Sequence, residues 1–100
     1  MTRKSETIDK KVIGAIEAVL KARMGRFGFK RASVRAGEDQ DGDPVLRIDA
    51  EYNYSEKPID VRATYGLTTE VRDALEKLGE ERFPYIRHHF DERQQTAKYA

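Results

Sequence analysis

Cysteine is absent from the 100 residues, which excludes disulfides, a thiolate nucleophile and any cysteine-ligated metal. Its absence fits a reducing compartment. No apolar stretch approaches the ~20 residues that a membrane-spanning helix needs. The longest near-apolar run, Val12-Ile13-Gly14-Ala15-Ile16, stops at Glu17, and that charge also interrupts a secretory h-region despite the basic start Thr2-Arg3-Lys4. A cytoplasmic protein without a membrane partner is the expectation. Catalytic signatures are missing too. The serines are Ser5, Ser33 and Ser55, none in a nucleophile elbow, and there is no phosphate loop or dinucleotide fingerprint. Asp49 and Glu51 alternate along a polar strand face opposite arginines, where nothing raises a carboxyl pKa. No catalytic residue and no cofactor is assigned, and the expectation is a protein that is not an enzyme.

What is present is charge, unevenly placed. The net charge is +1, but residues 1–37 carry ten Lys/Arg against three Asp/Glu, and residues 38–100 carry nine against fifteen, so +7 and −6 sum to +1. Such a split marks either a polyanion-binding segment or two parts that neutralise each other within one fold. Ile8, Val12, Ala15, Ile16, Val19 and Ala22 recur at helical spacing between charged residues. They predict an amphipathic helix over residues 6–24, with Ser5 or Thr7 as N-cap and Gly25 as terminator. Its apolar face must lie on another element.

Beyond Gly25 the period becomes two. Ala32, Val34 and Ala36 alternate with Arg31, Ser33 and Arg35, and Leu46, Ile48, Ala50, Tyr52 and Tyr54 alternate with Arg47, Asp49, Glu51 and Asn53. Between them the acidic stretch 38–43 and Pro44 mark a turn. A hairpin with Val34 opposite Leu46, Ala32 opposite Ile48 and Arg31 opposite Asp49 pairs apolar with apolar and cation with anion; a slip of two keeps that logic. Ile59, Val61, Ala63 and Tyr65 predict a third strand. Thr68 or Thr69 caps a second helix with core face Val71, Ala74, Leu75 and Leu78, and Gly79 suits its C′ position.

The helix–three strands–helix order resembles that of double-stranded RNA-binding domains. Where that family attracts phosphate, this chain has the acidic loop 38–43 and a helix opening Thr69-Glu70-Val71-Arg72-Asp73, so the function is not carried over. Gly25-Arg26-Phe27-Gly28 matches the GxxG clamp of KH domains. That clamp joins two helices, however, whereas here a helix runs into a strand. Gly25 is read as the helix terminator and Gly28 as a point of close backbone approach. Asp39, Asp41 and Asp43 lack the glycine and glutamate positions of an EF-hand and are read as a solvated turn.

His88 and His89 are adjacent, so on a helix or a strand they diverge, and with no cysteine nearby they do not make a metal site. Pro84 suits the first turn of a helix with Ile86 and Phe90 four apart, but the aromatic, β-branched composition also suits a strand. We read residues 83–90 as a short edge strand, with Ile86, His88 and Phe90 on one face and Phe83, Tyr85, Arg87 and His89 on the other.

The expected fold is α+β, one domain over residues 1–100, with two helices on one face of a three-stranded antiparallel meander. The order is αβββα, with a fourth edge strand near the C-terminus and frayed ends at 1–5 and 94–100. The expected role is a protein–protein interaction or assembly module, a homodimer among its forms, contacting its partner through Phe83, Tyr85, Ile86, His88, His89 and Phe90. The alternative is a nucleic-acid-binding or regulatory protein using Lys21, Arg23, Arg26, Lys30, Arg31 and Arg35, which requires these residues to form one positive surface.

Overall fold

The structure is a computed structural model describing residues 8–96. Its first helix, α1 (Lys10–Met24), starts where Asp9 accepts a hydrogen bond from the Lys11 N–H at 2.7 Å. An N-cap carboxylate satisfies a donor that the helix leaves unpaired. Ser5 and Thr7, expected as caps, lie outside the described residues. Val12, Ile16, Leu20 and Met24 form the buried stripe, one residue per turn; of the expected face, Val12 and Ile16 lie in it, Ala15 and Val19 are partly covered and Ala22 is exposed. After Met24 the chain tightens into a 3-10 turn, Gly25–Phe27, and reverses at Gly28.

Strand β1 (Phe29–Glu38) and strand β2 (Pro44–Tyr52) form the antiparallel hairpin. The register differs by two from the one expected: Val34 faces Ile48, Ala32 faces Ala50 and Arg31 faces Glu51. The turn sets it. The Asp39 carboxylate accepts the N–H groups of Asp41 and Asp43, and Asp39 N–H bonds the Asp43 carbonyl. This closes the loop tightly enough for Glu38 to pair with Pro44. A bulge at Lys30 then turns Phe29 back toward the core, where its ring meets Tyr52 edge-on at 5.8 Å.

The expected third strand is not there. Asp60 accepts the Arg62 N–H at 2.9 Å and grips its guanidinium at 3.1 Å, so the chain winds into a 3-10 turn, Val61–Thr64. Ile59 is buried and bridges Thr96, while Val61 and Tyr65 point to solvent. Asp60 competes for the backbone locally, and that overrides an alternating pattern. Helix α2 (Leu67–Glu76) follows, capped by Gly66 in the left-handed region rather than by Thr68 or Thr69. Its end is as expected: Gly79 N–H bonds the Glu76 carbonyl and Glu80 N–H the Leu75 carbonyl, a Schellman closure with Gly79 at φ 79°.

Residues 83–89 supply the third strand, β3 (Phe83–His89), which lies beside β2 and runs parallel to it. The observed order is therefore αββαβ and the sheet is mixed, correcting the αβββα antiparallel meander. Parallel neighbours need a crossover, and α2 provides it. The sheet order is β1-β2-β3, with Leu46, Ile48, Ala50 and Tyr52 of the central strand buried in one core with both helices. Gln94–Thr96, expected to fray, are held: the Gln94 side chain accepts the Ser55 N–H and the Gln95 carbonyl accepts the Ile59 N–H.

Candidate interaction surface

Both helices bury one face of the sheet, which leaves the other face and two strand edges. The edge of β1 is partly answered, because the Ala32 N–H points away from β2 and donates to the Glu17 carboxylate of α1 at 3.2 Å. That bond also fixes the alternation. With Ala32 facing outward, the odd-numbered residues of β2 bond to β1 and its even-numbered residues bond to β3. In the parallel ladder with Ile48 opposite Ile86, residues 85 and 87 then bond to β2. The backbone groups of Pro84, Ile86 and His88 point to the outer edge. Pro84, which has no N–H, sits where no ladder donor is needed. Among the described residues no backbone or side-chain group answers the Ile86 and His88 N–H groups.

The histidines part as their adjacency dictated. His88 lies on the helix side, where its Nδ1 and the Tyr52 hydroxyl share a 2.7 Å hydrogen bond and its ring stacks on Phe90. Burial holds the imidazole pKa below its ordinary value and pushes the Tyr52 hydroxyl up. Both shifts favour the neutral forms, between which the tyrosine hydroxyl and Nδ1 share one proton-bridged contact whose donor is set by the imidazole tautomer. His89 lies on the open face, its Nε2 2.8 Å from Asp49, which also holds Arg35 at 3.3 Å. The Asp49 carboxyl is held below its usual range, by the His89 hydrogen bond most of all and by Arg35, against the opposing effect of burial. Ser33 shares the shallow depression with His89 and Asp49 but makes no hydrogen bond to His89 among the described residues.

A depressed histidine pKa gives a signed pH expectation. The unfolded chain takes up a proton on His88 more readily than the folded one, so this contribution is complete above pH 6.5 and is lost as pH falls through the folded pKa. The depressed carboxyls of Asp49 and Glu80 act only at lower pH. Urea denaturation between pH 7 and pH 5 should therefore show falling stability. A His88→Gln variant, which keeps a hydrogen-bond acceptor without titrating, should flatten the slope; parallel slopes would refute the assignment.

Of the expected partner residues, Phe83, Tyr85 and His89 lie on the open face, whereas Ile86, His88 and Phe90 turn inward and are partly covered. Phe83 and Tyr85 are 39% and 45% exposed and meet edge-on at 5.1 Å, over buried Val45. The basic residues scatter. Lys21 is exposed on α1, Lys30 sits in the bulge, and Arg26 lies over the Phe27 ring. Arg23 is structural: it donates to the carbonyls of Ala63 and Tyr65 and pairs with Glu70 at 3.2 Å, tying α1 to the chain before α2. Arg23→Ala should cost about 1–3 kcal/mol of stability, because charged hydrogen bonds to carbonyls are lost; thermal denaturation unchanged from the parent would exclude this role.

Only Arg31 and Arg35 of that set reach the open face, paired with Glu51 and Asp49. There they are joined by two arginines that the composition of the N-terminal third did not point to. Arg47 lies directly across from Arg35, and Arg87 lies across from Asp49. With Tyr85 they line a depression of about 230 Å³. The strand alternation around Arg47 was the one signal that could have found this grouping. The loop carboxylates Asp39, Asp41 and Asp43 lie within 4.8 Å of one another; that of Asp39 closes the turn by accepting the backbone N–H groups of Asp41 and Asp43. Comparisons with protein-family models, with curated proteins and with solved structures return no match to this chain.

Proposed function

We propose that this chain is a non-catalytic interaction module that accepts a strand from another protein chain along the outer edge of β3. One observation carries the reading: β3 is a terminal strand whose outward N–H and C=O groups have no partner among the described residues, beside exposed Phe83 and Tyr85. Strand addition uses such an edge for affinity and the flanking side chains for selectivity. The edge of β1, by contrast, is partly occupied by Glu17. The test is site-specific photo-crosslinking in the native cell, with a benzophenone amino acid at position 85 and a control at position 21. Protein adducts from position 85 alone support the reading, and equal yields from both positions sink it.

A second reading is favoured by Arg35 standing directly opposite Arg47. Like charges across a strand pair are destabilising, and a bound polyanion would relieve them. With Arg31, Arg87 and the exposed rings, the open face has the makings of a platform for single-stranded nucleic acid. The double variant Arg35→Ala/Arg47→Ala should then elute from heparin at lower salt than the parent; an unchanged elution position removes this reading.

A further inference from the structure

The geometry points to a second copy of this chain as the occupant of the β3 edge, paired antiparallel, β3 to β3, about a two-fold axis at Ile86. This rests on β3 being an open edge and adds the identity of the partner and the register. The edge is self-complementary. Ile86 presents both its N–H and its C=O outward, so two copies related by a two-fold exchange a reciprocal pair of hydrogen bonds there. On each side, the His88 N–H meets the carbonyl of the partner's Pro84; proline returns no N–H, so the His88 carbonyl, at the end of the strand, is left to water. On the open face, Tyr85 stands opposite the partner's Arg87, and Phe83 stands opposite the partner's His89. Cation then meets ring, and ring meets ring.

Competing two-fold registers fail on named residues. Centred on Arg87, the arrangement sets the two guanidinium groups directly against each other. Centred on Tyr85, it pairs only residues 83–87 of β3, and with Ile86 opposite the partner's Pro84 no reciprocal pair of hydrogen bonds forms within the strand, because proline has no N–H. Proline and charge on an edge commonly guard against indiscriminate pairing. Among the registers centred on residues 85, 86 and 87, the one at Ile86 alone pairs the whole of Phe83–His89 without setting arginine against arginine. The two open faces then join into one continuous surface, with Arg87 near the seam.

The chain lacks cysteine, so introduced thiols report the register without background. In the proposed register residues 85 and 87 form a non-hydrogen-bonded pair with Cα atoms about 4.5 Å apart, inside the disulfide range of about 4.4–6.8 Å. Diagonal neighbours, 85 to 85 or 87 to 87, lie about 7–8 Å apart, outside it. Under a mild oxidant, the Tyr85→Cys/Arg87→Cys double variant should become mostly disulfide-linked dimer, while each single variant stays uncrosslinked. Both positions are exposed, and circular dichroism confirms that each variant is folded. For the unmodified chain, sedimentation equilibrium should give twice 11.5 kDa, and amide exchange at Ile86 and His88 should slow at least ~10-fold, a shift of about 1.4 kcal/mol, from micromolar to millimolar protein. Crosslinking of either single variant alone, or a dimer in which the double variant does not crosslink, overturns the register. A single 11.5 kDa species throughout overturns the second copy as occupant. The broader reading of the β3 edge then stands or falls separately, on the adducts from position 85 in the cell.

Discussion

Gly28→Ala should unfold this protein at a temperature lower by roughly 12–24 °C, the shift that about 3 kcal/mol produces in a domain of this size. Two independent effects add. Gly28 has φ 94°, a conformation that carries a penalty of about 1–3 kcal/mol for residues with a Cβ. A Cβ there would also collide with the Asn53 carbonyl oxygen, and that carbonyl is backbone. The Asn53 N–H bonds the Gly28 carbonyl at 2.8 Å, so the chain cannot swing away without breaking the contact that seats β1 on the end of β2. Gly42 separates the two effects. Its φ is 84° and nothing lies within 4 Å of a Cβ built there, so Gly42→Ala should show the backbone penalty alone, about 1 kcal/mol. Equal effects at the two positions would show that the close approach contributes nothing.

Leu75→Ala should destabilise by about 2–5 kcal/mol, through lost burial and an imperfectly closed cavity. Leu78→Ala should stay within about 0.5 kcal/mol. The sequence pattern puts both on one helical face, but Leu75 is 1% exposed and Leu78 is 44% exposed. The helix ends at Glu76, and the chain then tightens, the Leu78 N–H bonding the Leu75 carbonyl three residues back, which takes Leu78 off the core-facing side. Chemical denaturation of the two variants decides the point, and comparable losses would mean that α2 continues past Glu76 in solution.

Helix α1, both hairpin strands, the Gly79 closure and the strand character of 83–89 were legible because each rests on local chemistry: a period, a cap, a turn. The two-residue difference in register was not, because Ala32, Val34 and Ala36 offer small, interchangeable partners for Leu46, Ile48 and Ala50. Only the side-chain bonding of Asp39 inside the turn settles it. The segment 59–65 misled because its alternation has the form of a strand, while one aspartate at its head supplies a stronger local alternative. The candidate surface was half legible. The outward set Phe83, Tyr85, Arg87 and His89 follows from period two. Arg35, Arg47 and Asp49 fall on the polar face of the hairpin by the same period, but what sets them beside that group is a parallel partner brought in by a crossover, which leaves no local trace in sequence.

The placement of β3 also orders the events of synthesis. Its partner β2 is complete at Tyr52, yet Phe83 emerges only after the turn and α2 have been made. Until then α1 and the hairpin, whose contacts are local in sequence, can assemble, while the far side of β2 stays open along Leu46, Ile48 and Ala50. A nascent or truncated chain ending before residue 83 therefore displays an apolar, unpaired strand in the middle of its future sheet. Within this sheet, the strand made after the other two is the one that shields its interior from premature association.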